Sequence, residues 1–513
     1  MPAPIRRARR RNFSGSITVA ENTHYDLVVI GSGPGGYVGA IRAAQLGMKV
    51  AVIERDKLGG VCLNWGCIPT KALLHNAELY QHAIVHGKDW GIDVDPAKIK
   101  VDWGKVIGRS RDITTKITGG VAFLFKKNKI EHIAGHGKIV SGKTAHGPCK
   151  IEVYEPTGNY YNGTADAKKL KATITADKIL IATGAKPREL PFAHCDGKQI
   201  ISSYDAMNLP KKPESMVIVG SGAIGMEFAY FYNAFGTKVT VVEMVDRILP
   251  IEDDDISKLA LRAFGKQGMT FHTGHTVKAA TKSAKGVKVT IVDVKDEKKT
   301  QDIDCEVLLV AIGVAPRLDG LVDDKLGLKL EKGYVATDYK TAKEPTYKTS
   351  VPGVYAIGDI IGPPWLAHVA SEEAVTCVER MAGHHTIGID YNMIPGCTYC
   401  NPQIGSIGLT ERDVKAKGIK YKVGKYSLQA HGKAIAVGAT EGVVKIITSE
   451  PYGEILGAHI FGEDASELIA EVSLAMRLEA TAEDIISTIH AHPTMHEGVH
   501  EAALASEGRA IHM

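Results

Sequence analysis

The sequence predicts an α/β protein in which two dinucleotide-binding domains precede a C-terminal α+β unit. Three observations carry that prediction. A glycine fingerprint occurs twice in the chain. Each copy follows an apolar run of strand length and opens a helix-like stretch. From about Met393 the pattern changes to strands followed by a helix, as a separate unit would require.

The first copy begins with the strand-like run Tyr25–Ile30 and the turn Gly31-Ser-Gly33-Pro-Gly-Gly36. A helix-like stretch to about Leu46 follows, then a second short strand, Lys49–Ile53, ending at Glu54. The same order recurs in Met216–Val219, Gly220-Ser-Gly222-Ala-Ile-Gly225 and Val239–Val242, ending at Glu243. Gly31 to Gly220, Gly36 to Gly225 and Glu54 to Glu243 are each 189 residues apart, so the whole unit is repeated. A single G-x-G-x-x-G is weak evidence, but two in this context, each with an acid 18 residues past the third glycine, are strong. In such a Rossmann-like unit the first glycine permits the tight turn and the second lets backbone approach a pyrophosphate. The third allows close helix–strand packing, and the acid accepts from a ribose diol. The helix N-terminus turns its N–H groups and positive dipole end toward the phosphates.

Between the repeats, residues 130–180 read as short alternating strands with a turn signal at Tyr161-Asn162-Gly163. Asn162-Gly-Thr164 matches a glycosylation sequon, which nothing else in the sequence supports. After the second repeat, alternating segments run to about Val310. Val443–Ile447 and Ile455–Phe461 then read as strands and Ala465–Arg477 as a helix.

The bulk numbers narrow the class. At 44% hydrophobic and 23% charged, the 513 residues suit a soluble globular chain of several domains. The net charge of +4 comes from Arg6, Arg7, Arg9, Arg10 and Arg11, which leaves the remainder near −1 and gives no reason to expect nucleic acid. This tail reads as a solvated arm, a targeting peptide or a contact for an anionic partner. Ser14, Ser16 and Thr18, with no acid before Glu21, fit a mitochondrial transit peptide. The expected location is the cytoplasm, or the mitochondrial matrix if the tail is such a peptide. No apolar run is long enough to span a bilayer, so no membrane is expected. Eight cysteines in a chain of this length are not a secreted disulfide framework.

Soon after Glu54 comes Gly59-Gly-Val-Cys62-Leu-Asn-Trp-Gly-Cys67-Ile-Pro-Thr-Lys71, with Cys62 eight residues past that acid. Two cysteines five apart in a glycine-flanked run, entering a helix at about Thr70, can close a small disulfide ring. The helix dipole favours a thiolate on Cys67. A reducible disulfide suits thiol–disulfide exchange. Zinc wants four ligands, and no second pair lies nearby.

The run Gly59–Lys71 resembles the active-site signature of the pyridine nucleotide–disulfide oxidoreductases, and the resemblance continues from about Tyr25 over nearly the whole chain. Ile181-Ala-Thr-Gly-Ala185 and Val310-Ala-Ile-Gly313-Val-Ala-Pro316 are similar to the family's two strand-return segments. Val354-Tyr-Ala-Ile-Gly-Asp359 resembles the motif whose Asp holds the flavin ribityl chain. His490-Ala-His492-Pro-Thr-Met-His-Glu497 resembles the catalytic C-terminal signature.

The resemblance implies FAD at the first fingerprint (Gly31, Gly33, Gly36, Glu54, with Asp359) and NAD at the second (Gly220, Gly222, Gly225, Glu243, with Gly313). It implies a Cys62–Cys67 disulfide, with Cys62 forming the mixed disulfide with substrate and Cys67 as the thiolate against the flavin. Lys71 would lie near the flavin and pair with Glu227. His492 would be the general base, oriented by Glu497, reaching the other subunit's cysteines in a homodimer. Glu243 favours NAD, since it would repel a 2′-phosphate. The implied substrate is a dithiol on the lipoyl domains of 2-oxoacid dehydrogenase or glycine-cleavage assemblies. The alternatives are another disulfide substrate, or a docking subunit without turnover. The expected domains are a tail (1–23), an FAD domain (24–187) and an NAD domain (188–317). A segment returning to the FAD domain (318–392) and a dimerisation domain (393–513) complete the chain.

Three rival signals are weaker. His496-Glu497-Gly-Val-His500 matches the zinc motif H-E-x-x-H, but no third ligand follows and Glu497 belongs to the longer signature, so no metal is expected. Cys397-Thr-Tyr-Cys400 is a solitary C-x-x-C and reads as structural. Asp253-Asp-Asp255 reads as a helix cap and dipole partner.

Overall fold

The computed structural model describes residues 23–513 apart from Val94, Pro96, Ala97 and residues 159–162. The arginine tail and most of the Tyr161–Gly163 turn, with Asn162, lie outside the described residues. The chain forms two compact units, each assembled from three stretches.

The first unit takes residues up to Leu58, Val121–Gly184 and Pro316–Thr386. His24–Ile30 is at the heart of its sheet, parallel to Val50–Glu54 on one side and to Thr164–Ile181 on the other. Being covered on both faces, these strands are near-continuous runs of Val, Ile and Leu rather than alternating ones. Glu131–Ala134 extends the parallel edge, while Cys149–Thr157 and His136–Ser141 continue it in antiparallel fashion. The strands expected across 130–180 are therefore present, though the last is 18 residues long rather than short. Val354–Ala356 adds in parallel to Thr164–Ile181 and aims the turn Gly358–Ile360, with Asp359, beyond the strand ends. Helix Pro34–Gln45 starts where the central strand stops. It lies against helix Ala367–Met381, where Gly39 leaves room for Ala374 and Arg42 pairs with Glu379 at 2.5 Å.

The second unit takes Gly59–Gly120, Ala185–Ala315 and Ile387–Met513. It repeats the parallel arrangement. Ser215–Val219 lies between Lys238–Glu243 and Val307–Val310, with Thr270–Thr273 and Ile200–Ser202 at the edges. A three-stranded antiparallel ribbon spans His275–Cys305. The C-terminal stretch forms a five-stranded antiparallel sheet, including Val443–Ser449 and Ile455–Gly462, with helices Ala465–Arg477 and Glu497–Ser506. Among the described residues no helix is long and apolar enough to cross a membrane.

Cys397 and Cys400 enter two different cores. Cys400 is buried in the cluster of the parallel sheet, while Cys397 packs on that of the C-terminal sheet. The strand Gly396–Thr398 carries Cys397 but ends before Cys400, which lies in the bend that follows. They are separate packing thiols, and burial pushes Cys397 up to about 11.

Asp253 caps helix Asp254–Lys266 as expected, accepting from the Asp255 N–H. The acidic run does more. Lys445, only 1% exposed on the C-terminal sheet, places its ammonium 2.7 Å from Asp253, 2.7 Å from Asp255 and 2.8 Å from Glu411. Burial opposes the Asp255 charge, but Lys425 and Lys445 hold that carboxyl at about 2. Lys415 and Lys445 do the same for Glu411. Both folded-state pKa values lie below their unfolded ones, so this stabilisation is complete above about pH 4.5 and drains away as pH falls toward 2. Lys445→Met should leave the buried Asp253 carboxylate without its cation, while Lys425 and Lys415 stay with Asp255 and Glu411, lower stability by about 3–5 kcal/mol and flatten that acid limb. Denaturant unfolding between neutral pH and pH 3 measures both.

Candidate active site

The two glycine turns show which glycines the chain needs for itself. Gly31 and Gly220 have φ of +97° and +98°, and a Cβ on either would drive into a carbonyl oxygen, of Ala182 and Ala311 respectively. A Cβ on Gly36 or Gly225 would overlap the carbonyl of the first glycine of its own turn. The middle glycines, Gly33 and Gly222, have ordinary extended conformations and nothing within 4 Å of a would-be Cβ. No internal packing accounts for them. An open approach to a helix start that no side chain caps is what a pyrophosphate requires.

The paired acids are bound to their turns through residues the sequence reading passed over. Glu54 accepts from the N–H and Oγ of Ser32 at 2.9 and 2.7 Å, and from the Asp56 N–H. Glu243 accepts from Ser221 at 2.9 and 2.8 Å and from the Val245 N–H. The signal was present as Gly-Ser-Gly in both copies. In the first unit Gly358, at φ +73°, donates its N–H to the buried Glu373 at 2.6 Å, which sets the turn carrying Asp359. Burial pushes the Asp359 carboxyl up to about 6, a poor environment for a charge and a good one for a ligand hydroxyl. In the second unit Gly313, at φ +100°, likewise faces open space.

Cys62 lies in the short helix Gly60–Asn64 and Cys67 is the first residue of helix Cys67–Gln81. That helix starts three residues before the expected Thr70, because Gly66 closes the turn and Thr70 donates its hydroxyl back to the Gly66 carbonyl. Cys67 therefore occupies the end of the dipole itself, where it is worth most. The structure holds the pair as thiols, the reduced half of the expected disulfide couple. Cys62 is pushed far up by its hydrogen bond to Cys67, aided by burial. Cys67 is held down chiefly by that same bond; burial opposes this, and the Lys71 cation and its own N–H assist it. Trp65, between the cysteines, packs its ring 4.5 Å from that of Tyr204, with Arg111 over its face.

Lys71, one turn on, meets Glu227 with Nζ 2.9 and 2.8 Å from the two carboxylate oxygens. Glu227 is buried on helix Ala223–Ala234 and also accepts from the Tyr399 N–H at 3.1 Å. The C-terminal signature forms a separate group. His492 Nδ1 lies 2.8 Å from Glu497 Oε1, and Glu497 Oε2 accepts from the Thr494 N–H. Burial works against the Glu497 charge, but the Thr494 N–H and the His492 ring outweigh it and keep the carboxyl low. The His492 side chain is 79% exposed, so its second nitrogen faces outward. None of the hydrogen bonds among the described residues joins it to Cys62 or Cys67. The H-E-x-x-H histidines are engaged elsewhere: His496 with Glu471 at 2.5 Å, His500 with the Ile486 carbonyl.

Comparison with known proteins gives this geometry its context. Residues 25–374 match the pyridine nucleotide-disulphide oxidoreductase family, and residues 394–503 match the dimerisation domain of the same family. A dihydrolipoyl dehydrogenase of Rhizobium etli is 44% identical, covering 95% of this chain and 99% of that protein. A mitochondrial dihydrolipoyl dehydrogenase of Pisum sativum is 40% identical over 95% of this chain and 92% of its own. Among solved structures, LpdA of Mycobacterium tuberculosis superposes with a TM-score of 0.83 at 25% identity, covering 94% of this chain and 99% of that one. FAD and NAD are the dinucleotides such a flavoprotein oxidoreductase uses. The chain belongs to the pyridine nucleotide–disulphide oxidoreductase family.

Proposed function

We propose that this chain is a dihydrolipoyl dehydrogenase, oxidising a dithiol carried on lipoyl domains of 2-oxoacid dehydrogenase or glycine-cleavage assemblies. The observation that carries the reading is the position of Cys67 as the first residue of helix Cys67–Gln81, one turn before Lys71, with Cys62 on the short helix Gly60–Asn64 just ahead of it. In a disulfide of this pair, Cys67 is the better leaving group, so an incoming thiolate attacks Cys62.

His492 takes the proton from one substrate thiol, and Glu497 stabilises the imidazolium through Nδ1. The substrate sulfur bonds to Cys62 Sγ as the Cys62–Cys67 bond breaks, and Cys67 leaves as a thiolate. The second substrate thiol then displaces Cys62, closing the substrate disulfide and returning a proton to Cys62. FAD, which Gly31, Gly33, Gly36, Glu54 and Asp359 would hold, would supply the two-electron chemistry that links this centre to NAD at the second glycine turn. Glu243 keeps the second site for NAD over its 2′-phosphorylated form.

His492 acts across a homodimer in this reading. Its exposure, its position inside the matched dimerisation domain, and the bare apolar side chains of Leu474, Leu478 and Ile489 on that domain support this. Ile489, beside the signature, is 97% exposed in the single chain. We place the enzyme in the cytoplasm, as the bacterial source of relatives such as that of Rhizobium etli suggests.

Anaerobic titration with dihydrolipoamide should change the flavin spectrum, and added NAD should then yield NADH. A flavin that NADH reduces but dihydrolipoamide leaves untouched would point to another disulfide substrate. Replacing His492 with Gln should cut dithiol turnover by roughly 10²–10⁴-fold while NADH-driven reduction of artificial acceptors persists. Undiminished dithiol turnover would remove His492 from its role. Gly222→Val has space within the chain for its side chain, so it should fold and retain flavin but raise KM for NAD. Steady-state kinetics beside flavin content separates the two effects.

A further inference from the structure

Tyr399 touches the Lys71–Glu227 pair in two independent ways. Its backbone N–H donates to Glu227 Oε1, the oxygen that also accepts from Lys71 at 2.9 Å. Its ring lies 4.2 Å from the Lys71 ammonium, which is therefore held between a carboxylate and the negative face of an aromatic ring. The residue is anchored by the strand Gly396–Thr398, which pairs with Gln403–Gly408 through Thr398 and Ile404. The titratable groups around this point are Cys62 and Cys67 from the cysteine segment, Glu227 from its helix, Glu467 from helix Ala465–Arg477, Glu252 just before helix Asp254–Lys266, and Cys397 and Cys400 at the strand end. The Lys71 cation is in turn one of the groups that favour a thiolate on Cys67.

We propose that Tyr399 is a positioning residue of the redox centre: its N–H and ring together hold the Lys71 ammonium against Glu227, and through it set how firmly Cys67 keeps its thiolate. This rests on the role given to Cys67 above. A side chain that only filled space could be exchanged for any ring of the same shape. A positioning role depends on the charge distribution of the ring, because the attraction is electrostatic.

The test replaces Tyr399 by Phe and then by phenylalanines carrying increasing numbers of ring fluorines, which drain the ring face and nearly keep its shape. The reduced holoenzyme of each is titrated with base, following the ultraviolet absorbance of the thiolate. The midpoint for Cys67 should climb stepwise with fluorination, by about half a pH unit across the series. A midpoint that stays constant or falls along the series overturns the proposal while leaving Cys67 as the thiolate. If the parent enzyme shows no thiolate titration at all, the role of Cys67 fails and this inference with it.

Discussion

Lys71 leaves its helix one turn after Cys67 and meets a glutamate almost closed to water on the helix that follows the second glycine turn. A carboxylate buried there without a partner would cost several kcal/mol, so neither residue is free to change alone. The pair ties the cysteine helix, the helix of the second fingerprint and, through Tyr399, the strand leading into the C-terminal sheet. Three segments far apart in sequence thereby share one register. The redox chemistry depends on it, because the same ammonium that satisfies Glu227 also supports the charge on Cys67.

The two dinucleotide turns reach one steric solution from different sequences. The outer glycines answer to the chain, where a Cβ would collide with a carbonyl; the middle ones answer to a ligand, where it would meet nothing. Serine between the first two glycines then fastens each turn to the acid at the end of the neighbouring strand. The acid is thus aligned before any ribose arrives, and less ordering is left to be done on binding.

The C-terminal signature is organised by carboxylates in a similar way. Glu497 orients His492, while Glu471 bridges His490 and His496 at 2.6 and 2.5 Å. His496 is held by that bridge. The imidazole so oriented is exposed, and no hydrogen bond among the described residues joins it to Cys62 or Cys67. A second copy completes the site in the proposed reading.

Much of this was legible without coordinates, because the relevant signals are local. Glycines whose spacing obeys turn and helix geometry, a strand ending in an acid, and two cysteines flanked by glycine each declare their chemistry within a few dozen residues. Glu497 lies five residues from His492, so their pairing is short-range as well. What tertiary structure decided is long-range. Lys445 gathers three carboxylates from up to 192 residues away, turning an acidic run that reads as a cap into a buried charge cluster. Cys397 and Cys400 look like a pair until the fold sends them into different cores. Tyr399 meets the Lys71–Glu227 pair only because Glu227, 172 residues earlier, folds against its N–H. Sequence encodes local backbone preference and side-chain chemistry directly. Which distant charges meet, and how far burial shifts them, depends on packing that no local pattern contains.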